Sequence, residues 1–526
     1  MNDGAMQPFA LTVDKFLDHA AKWHSDAEVV TAHADGVNTR IGYAALRDRA
    51  MRGSAVLAGL GVAPGQRVAT LAWNSQAHLE AWYAIMGMGA SCHTLNPRLT
   101  ADVTASMFRQ SGARVLIVSA DLLPLAREIA ARASLQTILT IDEEGEGCRR
   151  EEGAQPLEPL IADGKADAAW GGFDENTECG LCFTSGTTGQ PKGVTYTHRS
   201  TYLHTLRLLQ ADVMAMTAGD TALPVVPMFH ASAWGMPFAA PAVGARLVLP
   251  GRHLDGASLA RLIVAEGVTV ASAVPTVWLG LVEHLEAAGG EVPSLKRIVV
   301  GGSPMPPALM ERIERRLGVT VQTSWGMTEL SPLGTIAPPG LADRDARVSG
   351  RPALGIDLLL TDAEGRPHAQ QRGVEGHLRV RGASVVERYL GQAEKATDTE
   401  GWFDTGDLAR IDAKGNLVIT GRSKDLIKSG GEWINPAEIE AIVAALPQVS
   451  LAAVVGRADA RWGERPILLV ELRHGEDITD DELLEPLRGR VASWWIPEEV
   501  VRLAKMPLAA TGKVDKLHLR SQYGQA

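Results

Sequence analysis

Thr184-Ser185-Gly186-Thr187-Thr188-Gly189-Gln190-Pro191-Lys192-Gly193 packs three glycines, four hydroxyl side chains and one lysine into ten residues. The glycines let backbone N–H groups approach phosphate oxygens closely, the hydroxyls add donors, and Lys192 can offset polyphosphate charge. It is not a Walker A loop, because Lys192 is followed by Gly193 and the glycine spacing differs. An apolar segment, Gly180-Leu181-Cys182-Phe183, leads into it, as a strand leads into a phosphate loop. On both sides the same alternation repeats. Short apolar runs at RVATLAW (67–73), ARVLIVSA (113–120), QTILTID (136–142), ARLVLPG (245–251), VTVASAV (268–274) and LKRIVVGG (295–302) read as strands. Amphipathic segments such as GASLARLIVAEG (256–267) and PPALMERIERRLG (306–318) read as helices. This pattern over the first four hundred residues predicts an α/β fold of largely parallel sheets covered by helices. The charged, aperiodic EEGEGCRREEGAQ (143–155) predicts a surface loop.

Near residue 420 the texture changes. GNLVITGRSKDLIKSGGEW (415–433) reads as strand, charged turn, apolar run and glycine pair. A helix at NPAEIEAIVAAL (435–446), strands at LAAVVG (451–456) and PILLVELR (466–473), and a helix over 479–493 follow. About a hundred residues is the usual size of a domain. The expected division is 1–420, a hinge at 421–425, and a small mobile α+β domain over 426–526.

The chain has 526 residues and a net charge of -11, which implies at least two domains and argues against general nucleic-acid binding. No basic-then-apolar leader opens it and no run is long enough to span a bilayer, so a cytoplasmic protein with no integral membrane segment is expected. Cys179 and Cys182 form a Cys-Gly-Leu-Cys pair, but Cys92 and Cys148 supply no second pair. Small buried strand residues therefore fit better than a zinc or redox site.

With its flanks, the glycine-rich loop resembles the phosphate loop of the adenylate-forming superfamily of acyl-CoA synthetases, firefly luciferases and nonribosomal peptide adenylation domains. The resemblance runs nearly end to end. PMFHASAWGMPF (227–238), SWGMTE (324–329), WFDTGD (402–407), GRSKDLIKSGGEWI (421–434) and PLAATGKVDK (507–516) are similar to that superfamily's further motifs and follow its order.

The resemblance implies ATP, Mg²⁺ and coenzyme A as co-substrates and cofactors. It places Thr184, Ser185, Gly186, Thr187, Thr188, Gly189, Lys192, Gly302, Ser303, Ser324, Trp325, Gly326, Met327, Thr328, Asp407 and Arg422 around ATP or AMP. Catalytic roles fall to Lys513, His230 and Glu329. Glu329 is also the implied Mg²⁺ ligand, one carboxylate plus substrate phosphates being a usual magnesium arrangement. Asp407 accepts from the ribose hydroxyls. The superfamily usually carries Tyr where Trp325 stands; an indole keeps the stacking surface and loses the phenolic hydrogen bond. His230 and Trp234 are four apart, so one helical turn would bring them to one face, with Trp234 resembling a gate to an acyl tunnel. Lys428, Ser429, Gly430, Gly431, Glu432 and Trp433 resemble the CoA segment, and Lys424 the pivot about which the small domain turns. The resemblance also implies a homodimer.

Acyl-pocket candidates are Trp234, Gly235, Val274, Gly301, Gly302, Trp325, Gly326, Met327, Ser331 and Pro332. None is a lysine or arginine that could pair with a second charge, and no aspartate is placed to meet an amine. The expected acid is an apolar monocarboxylate, a fatty acid or 3-methylmercaptopropionate. Two other readings stand beside a CoA ligase. One is an adenylation enzyme loading a separate carrier protein; the other is a non-catalytic acyl- or adenylate-binding regulator.

Overall fold

The computed structural model describes residues 6–141, 151–184, 191–341, 344–430, 432–509 and 513–525. The apolar runs sort into two sheets. The first has seven strands in the order Gln155–Pro156, Thr137–Ile141, Val115–Ser119, Arg67–Leu71, Ser91–Thr94, Glu178–Thr184 and Lys192–Thr197. All its neighbours are parallel except the last pair, which is antiparallel. All five residues of Val115–Ser119 are buried, as expected for a strand covered by helices on both faces.

The second sheet has nine strands. Its parallel centre runs Thr320–Gly326, Arg297–Val300, Val270–Ala273, Thr221–Pro224, Arg246–Leu249 and Glu28–Thr31. Antiparallel strands close both edges: Thr39–Gly42 on one side, Leu333–Ile336 and Arg351–Pro352 on the other. Sequence-readable signals bound the covering helices. Asp255 caps Gly256–Glu266 by accepting from the Ser258 amide, and left-handed Gly267 ends it; Gly318 ends Pro307–Leu317 likewise.

The alternation stops earlier than the sequence suggests. Among the described residues between Ile336 and Arg422 no helix intervenes, and Ile356–Thr361, Glu375–Gly382, Phe403–Ile411 and Leu417–Arg422 form an antiparallel sheet. Turn chemistry explains the change. At 412–416, for instance, the Asp412 carboxylate accepts from the Asn416 amide at 2.8 Å and Gly415 has φ +84°, a hairpin connection. After residue 425 a further sheet joins Glu432–Ile434, Ile427–Ser429, Gly463–Leu472 and Val449–Asp459, with Val500–Arg502 parallel to Gly463–Leu472. The helix expected over 479–493 is much shorter: Asp480–Leu484, then one 3₁₀ turn at Glu485–Leu487. Pro486 lacks the N–H the next turn needs, and Gly489 has φ +73°.

Cys92, Cys179 and Cys182 are buried and free. Burial pushes the Cys179 thiol up to about 12 and Cys182 up to about 11, the behaviour of inert core cysteines. Residues 143–150 of the expected surface loop, Cys148 among them, lie outside the described residues. Among the described residues no helix is long and apolar enough to cross a membrane.

Candidate active site

Thr184 ends one strand and pairs in register with Lys192, which starts the next. The phosphate-loop candidates Ser185, Gly186, Thr187, Thr188 and Gly189 connect them and lie outside the described residues. Lys192 lies with its ammonium 5.0 Å from the Tyr389 ring centroid, and the Tyr389 hydroxyl donates to Glu329 Oε1 at 2.9 Å. Glu329 stands in the 3₁₀ turn Thr328–Leu330 and is buried. Burial pushes its carboxyl pKa up; its own backbone amide, the Tyr389 hydroxyl and the charges of Arg422 and Lys192 pull the other way.

A second group forms where two sheets meet. Asp407, 3% exposed, accepts from the Trp325 indole at Oδ2 (2.8 Å) and from Arg422 Nε at Oδ1 (2.9 Å). Asp407 and Arg422 are cross-strand partners, and Trp325 reaches them from the neighbouring sheet. In place of the phenolic hydrogen bond expected to be lost with Trp, the indole N–H makes one of its own to Asp407. A Cβ on Gly334 would overlap the Trp325 ring.

Lys513 arrives from the small domain on a loop closed by the Leu508–Val514 bridge. Its Cε lies 3.7 Å from the place a Gly302 Cβ would occupy, and Trp234 Cζ2 lies 3.9 Å from the same point. Gly302 has φ +82°, so glycine meets both the backbone and the space requirement there. A Cβ on Gly301 would lie 2.5 Å from Ser324 Oγ and 3.2 Å from Trp234 Cη2. Ser324 Oγ in turn donates to the Val300 carbonyl. Lys513 stays solvent-accessible in this cleft; the protein walls around it, then the nearby Arg422, push its ammonium pKa down to about 8. Burial, then the charges of Lys513 and Arg98, push His230 down to about 4, so its imidazole is neutral at pH 7.

The expected helical turn at His230–Trp234 is not a right-handed one. Ala231, Ser232, Ala233 and Trp234 all have positive φ, from +43° to +54°. Left-handed residues cost roughly 1–2 kcal/mol each, so packing must impose the turn. Its approach is clamped by Asn74, whose amide donates to the Pro224 and Val226 carbonyls (2.9 Å each) and accepts from the Met228 amide (2.7 Å). The Ala231 amide donates to Cys182 Sγ, and Thr94 donates to the Phe229 carbonyl.

Of the other acyl candidates, Gly235 abuts His204 and Leu208. Ser331 donates to the Ser384 carbonyl, and the Met327 amide donates to the Pro332 carbonyl, folding 326–332 on itself. Lys428, Ser429, Gly430, Glu432 and Trp433 form a hairpin whose contacts stay within the small domain: the Lys428 amide on Glu464, the Gly430 amide on the Trp462 carbonyl, the Lys428 ammonium over the Trp433 ring. Gly431 lies outside the described residues. The Arg520 guanidinium donates to the Lys424 and Asp425 carbonyls. Tyr389 and Asn74 escape sequence reasoning: neither lies in one of the motifs quoted above, and their partners are 60 and about 150 residues away.

Among the described residues no cluster of three His, Cys, Asp or Glu could cage a metal alone. A single buried carboxylate beside Tyr389 and Lys192 suits Mg²⁺, which keeps waters and substrate oxygens as its remaining ligands. Residues 16–390 match the profile of the AMP-binding enzymes, and residues 438–513 that of the AMP-binding enzyme C-terminal domain. The chain belongs to the AMP-binding enzyme family. This AMP-binding enzyme is 40% identical to the 3-methylmercaptopropionyl-CoA ligase of Ruegeria lacuscaerulensis, covering 99% of each chain. It is 39% identical to the medium-chain-fatty-acid–CoA ligase of Ectopseudomonas oleovorans, covering 99% of this chain and 97% of the relative. Among solved structures, ATP-bound MatB from Rhodopseudomonas palustris superposes with TM-score 0.87 at 25% identity, over 98% of this chain and 99% of that one. The chain is an enzyme of the AMP-forming acyl-CoA ligase class, which uses ATP, Mg²⁺ and CoA.

Proposed function

We propose that this enzyme joins an apolar monocarboxylate, a fatty acid or 3-methylmercaptopropionate, to CoA by way of an acyl-adenylate. The observation that carries the reading is the meeting of Lys513, from the small domain, with Trp234 and Gly302 of the large one. In the first half-reaction a substrate carboxylate oxygen attacks the α-phosphorus, the mixed anhydride forms, and pyrophosphate leaves with the electron pair of the broken P–O bond. Two anions must meet, so positive charge aimed at the nonbridging and leaving oxygens dominates the rate. Lys513 supplies it at the α-phosphate, and Lys192 at the polyphosphate. Glu329 would hold Mg²⁺, which would offset phosphate charge. Trp325 stacks on adenine, and Asp407 with Arg422 takes the ribose. Neutral His230 can hydrogen-bond the acid without competing for it as a cation, and Trp234 stands at the acyl side.

In the second half-reaction the CoA sulfur attacks the acyl carbonyl and AMP leaves. Lys513 stands beside Gly302 in the present arrangement, which supports a turn of the small domain about Lys424 to make room for the thiol. The turn would bring Gly430 and Gly431 to the pantetheine arm, with Lys428, Ser429, Glu432 and Trp433 beside it. The domain limits 1–420, 421–425 and 426–526 follow from that division. A homodimer in the cytoplasm completes the proposal.

A panel of acids from propionate to palmitate, including 3-methylmercaptopropionate, read by pyrophosphate release and thioester formation, tests it. Thioester formation with members of this set is expected. Loading of a carrier protein without any CoA thioester would overturn it.

A further inference from the structure

We infer that Trp325 is a positioning residue for ribose recognition, fixing one oxygen of Asp407 while Arg422 fixes the other, and that Gly334 is the position that admits the indole. The inference rests on the ribose role proposed above for Asp407. A carboxylate offers about four lone-pair directions. The indole N–H at 2.8 Å takes one on Oδ2, and Arg422 Nε at 2.9 Å takes one on Oδ1, leaving one on each oxygen for a pair of vicinal hydroxyls. The terminal torsion of aspartate is broad and roughly two-fold, so a single donor would leave the carboxylate plane loosely set. Arg422 alone is a weak fixture because its side chain is 40% exposed. Trp325 is 8% exposed and comes from a different sheet, so its N–H is held independently of the Asp407–Arg422 strand pair.

The backbone next to the indole is built around it. The register between Thr320–Gly326 and Leu333–Ile336 slips between Trp325 and Gly326, where Trp325 pairs with Thr335 and Gly326 with Leu333. Gly334 is the residue skipped, and a Cβ there would fall on the six-membered ring of the indole and lie 3.0 Å from Leu330 Cδ2. The ring cannot swing away from that Cβ and keep its N–H on Asp407. Gly334 and Trp325 therefore form one device: a slot and the side chain that fills it.

Equilibrium binding of AMP and of 2′,3′-dideoxy-AMP, measured by calorimetry on the full chain, tests this without requiring the acid. The wild type should prefer AMP. Trp325→Phe keeps an aromatic face but no N–H. It should lower the preference for AMP over dideoxy-AMP by about tenfold, the scale of one hydrogen bond to a charged group, whatever change in stacking the two ligands share. Gly334→Ala, with Trp325 intact, should lower the preference in the same direction, and is read alone if Trp325→Phe does not fold. Equal weakening of both ligands would reduce Trp325 to a stacking or packing residue and overturn the inference, as would an unchanged preference. Asp407→Asn separates the two levels. If it collapses the preference while Trp325→Phe does not, only the positioning role fails; if it keeps the wild-type preference, the ribose reading fails and takes this inference with it.

Discussion

Raising the pH from 7 to 9 should switch off adenylate formation by discharging Lys513. With its pKa pushed down to about 8, roughly nine-tenths of the molecules carry the ammonium at pH 7 and roughly one-tenth at pH 9. In the proposed mechanism the active form is the protonated one, so activity is expected to be full below the pKa and to fall as pH rises through it. The expected loss in kcat/KM for ATP is about tenfold, read by initial rates of pyrophosphate release. Stability moves the other way. Lys513 is depressed in the folded state, so between about 8 and its unfolded value near 10.4 the unfolded chain holds more protons, and its contribution to stability rises with pH. A fall in rate with no fall in thermal midpoint separates discharge from unfolding. Lys513→Arg keeps its charge across this range and should lose the alkaline limb whatever its absolute rate. A wild-type profile flat to pH 10, or the same limb in Lys513→Arg, would refute the reasoning.

Tyr389→Phe removes the donor on Glu329 and should lower kcat/KM by about ten- to a hundredfold, as for one charge-assisted hydrogen bond, with a raised Mg²⁺ requirement in a metal titration. Asn74→Ala strands two buried carbonyls and one amide and should cost on the order of 3 kcal/mol, measured by denaturant unfolding, together with activity. Ser232→Gly relieves one left-handed residue at the expense of a looser unfolded chain. The net gain should be about 0.5 kcal/mol, seen as a small rise in thermal midpoint.

The elements that sequence reveals here are those with a local cause. Each quoted apolar run from Arg67 to Val300 contains a strand, and Gly267 and Gly318 end the helices they follow. The antiparallel sheet after Ile356 was hidden because its half-buried strands carry mixed residues and its hairpins are marked only by scattered Asp and Gly. Pro486 is a visible stop inside the helix read over 479–493, and the amphipathic pattern overrode it there. For the candidate site, the motifs nominate residues but do not say how they touch. Nothing near Trp325 announces Asp407 as its partner, 82 residues on, and nothing near Glu329 announces Tyr389. The handedness of Ala231–Trp234 is likewise invisible, since alanine and tryptophan ordinarily avoid positive φ and only distant clamps make them accept it.

That turn has a thermal consequence. Four left-handed residues together hold roughly 4–8 kcal/mol, as much as the whole margin that keeps many domains folded. The clamps at Asn74, Cys182 and Thr94 oppose it like a latch on a wound spring. Loss of those clamps on warming would release the turn and carry Trp234 with it, so turnover is expected to fade below the temperature at which both sheets melt, as activity and far-UV circular dichroism on one temperature ramp would show.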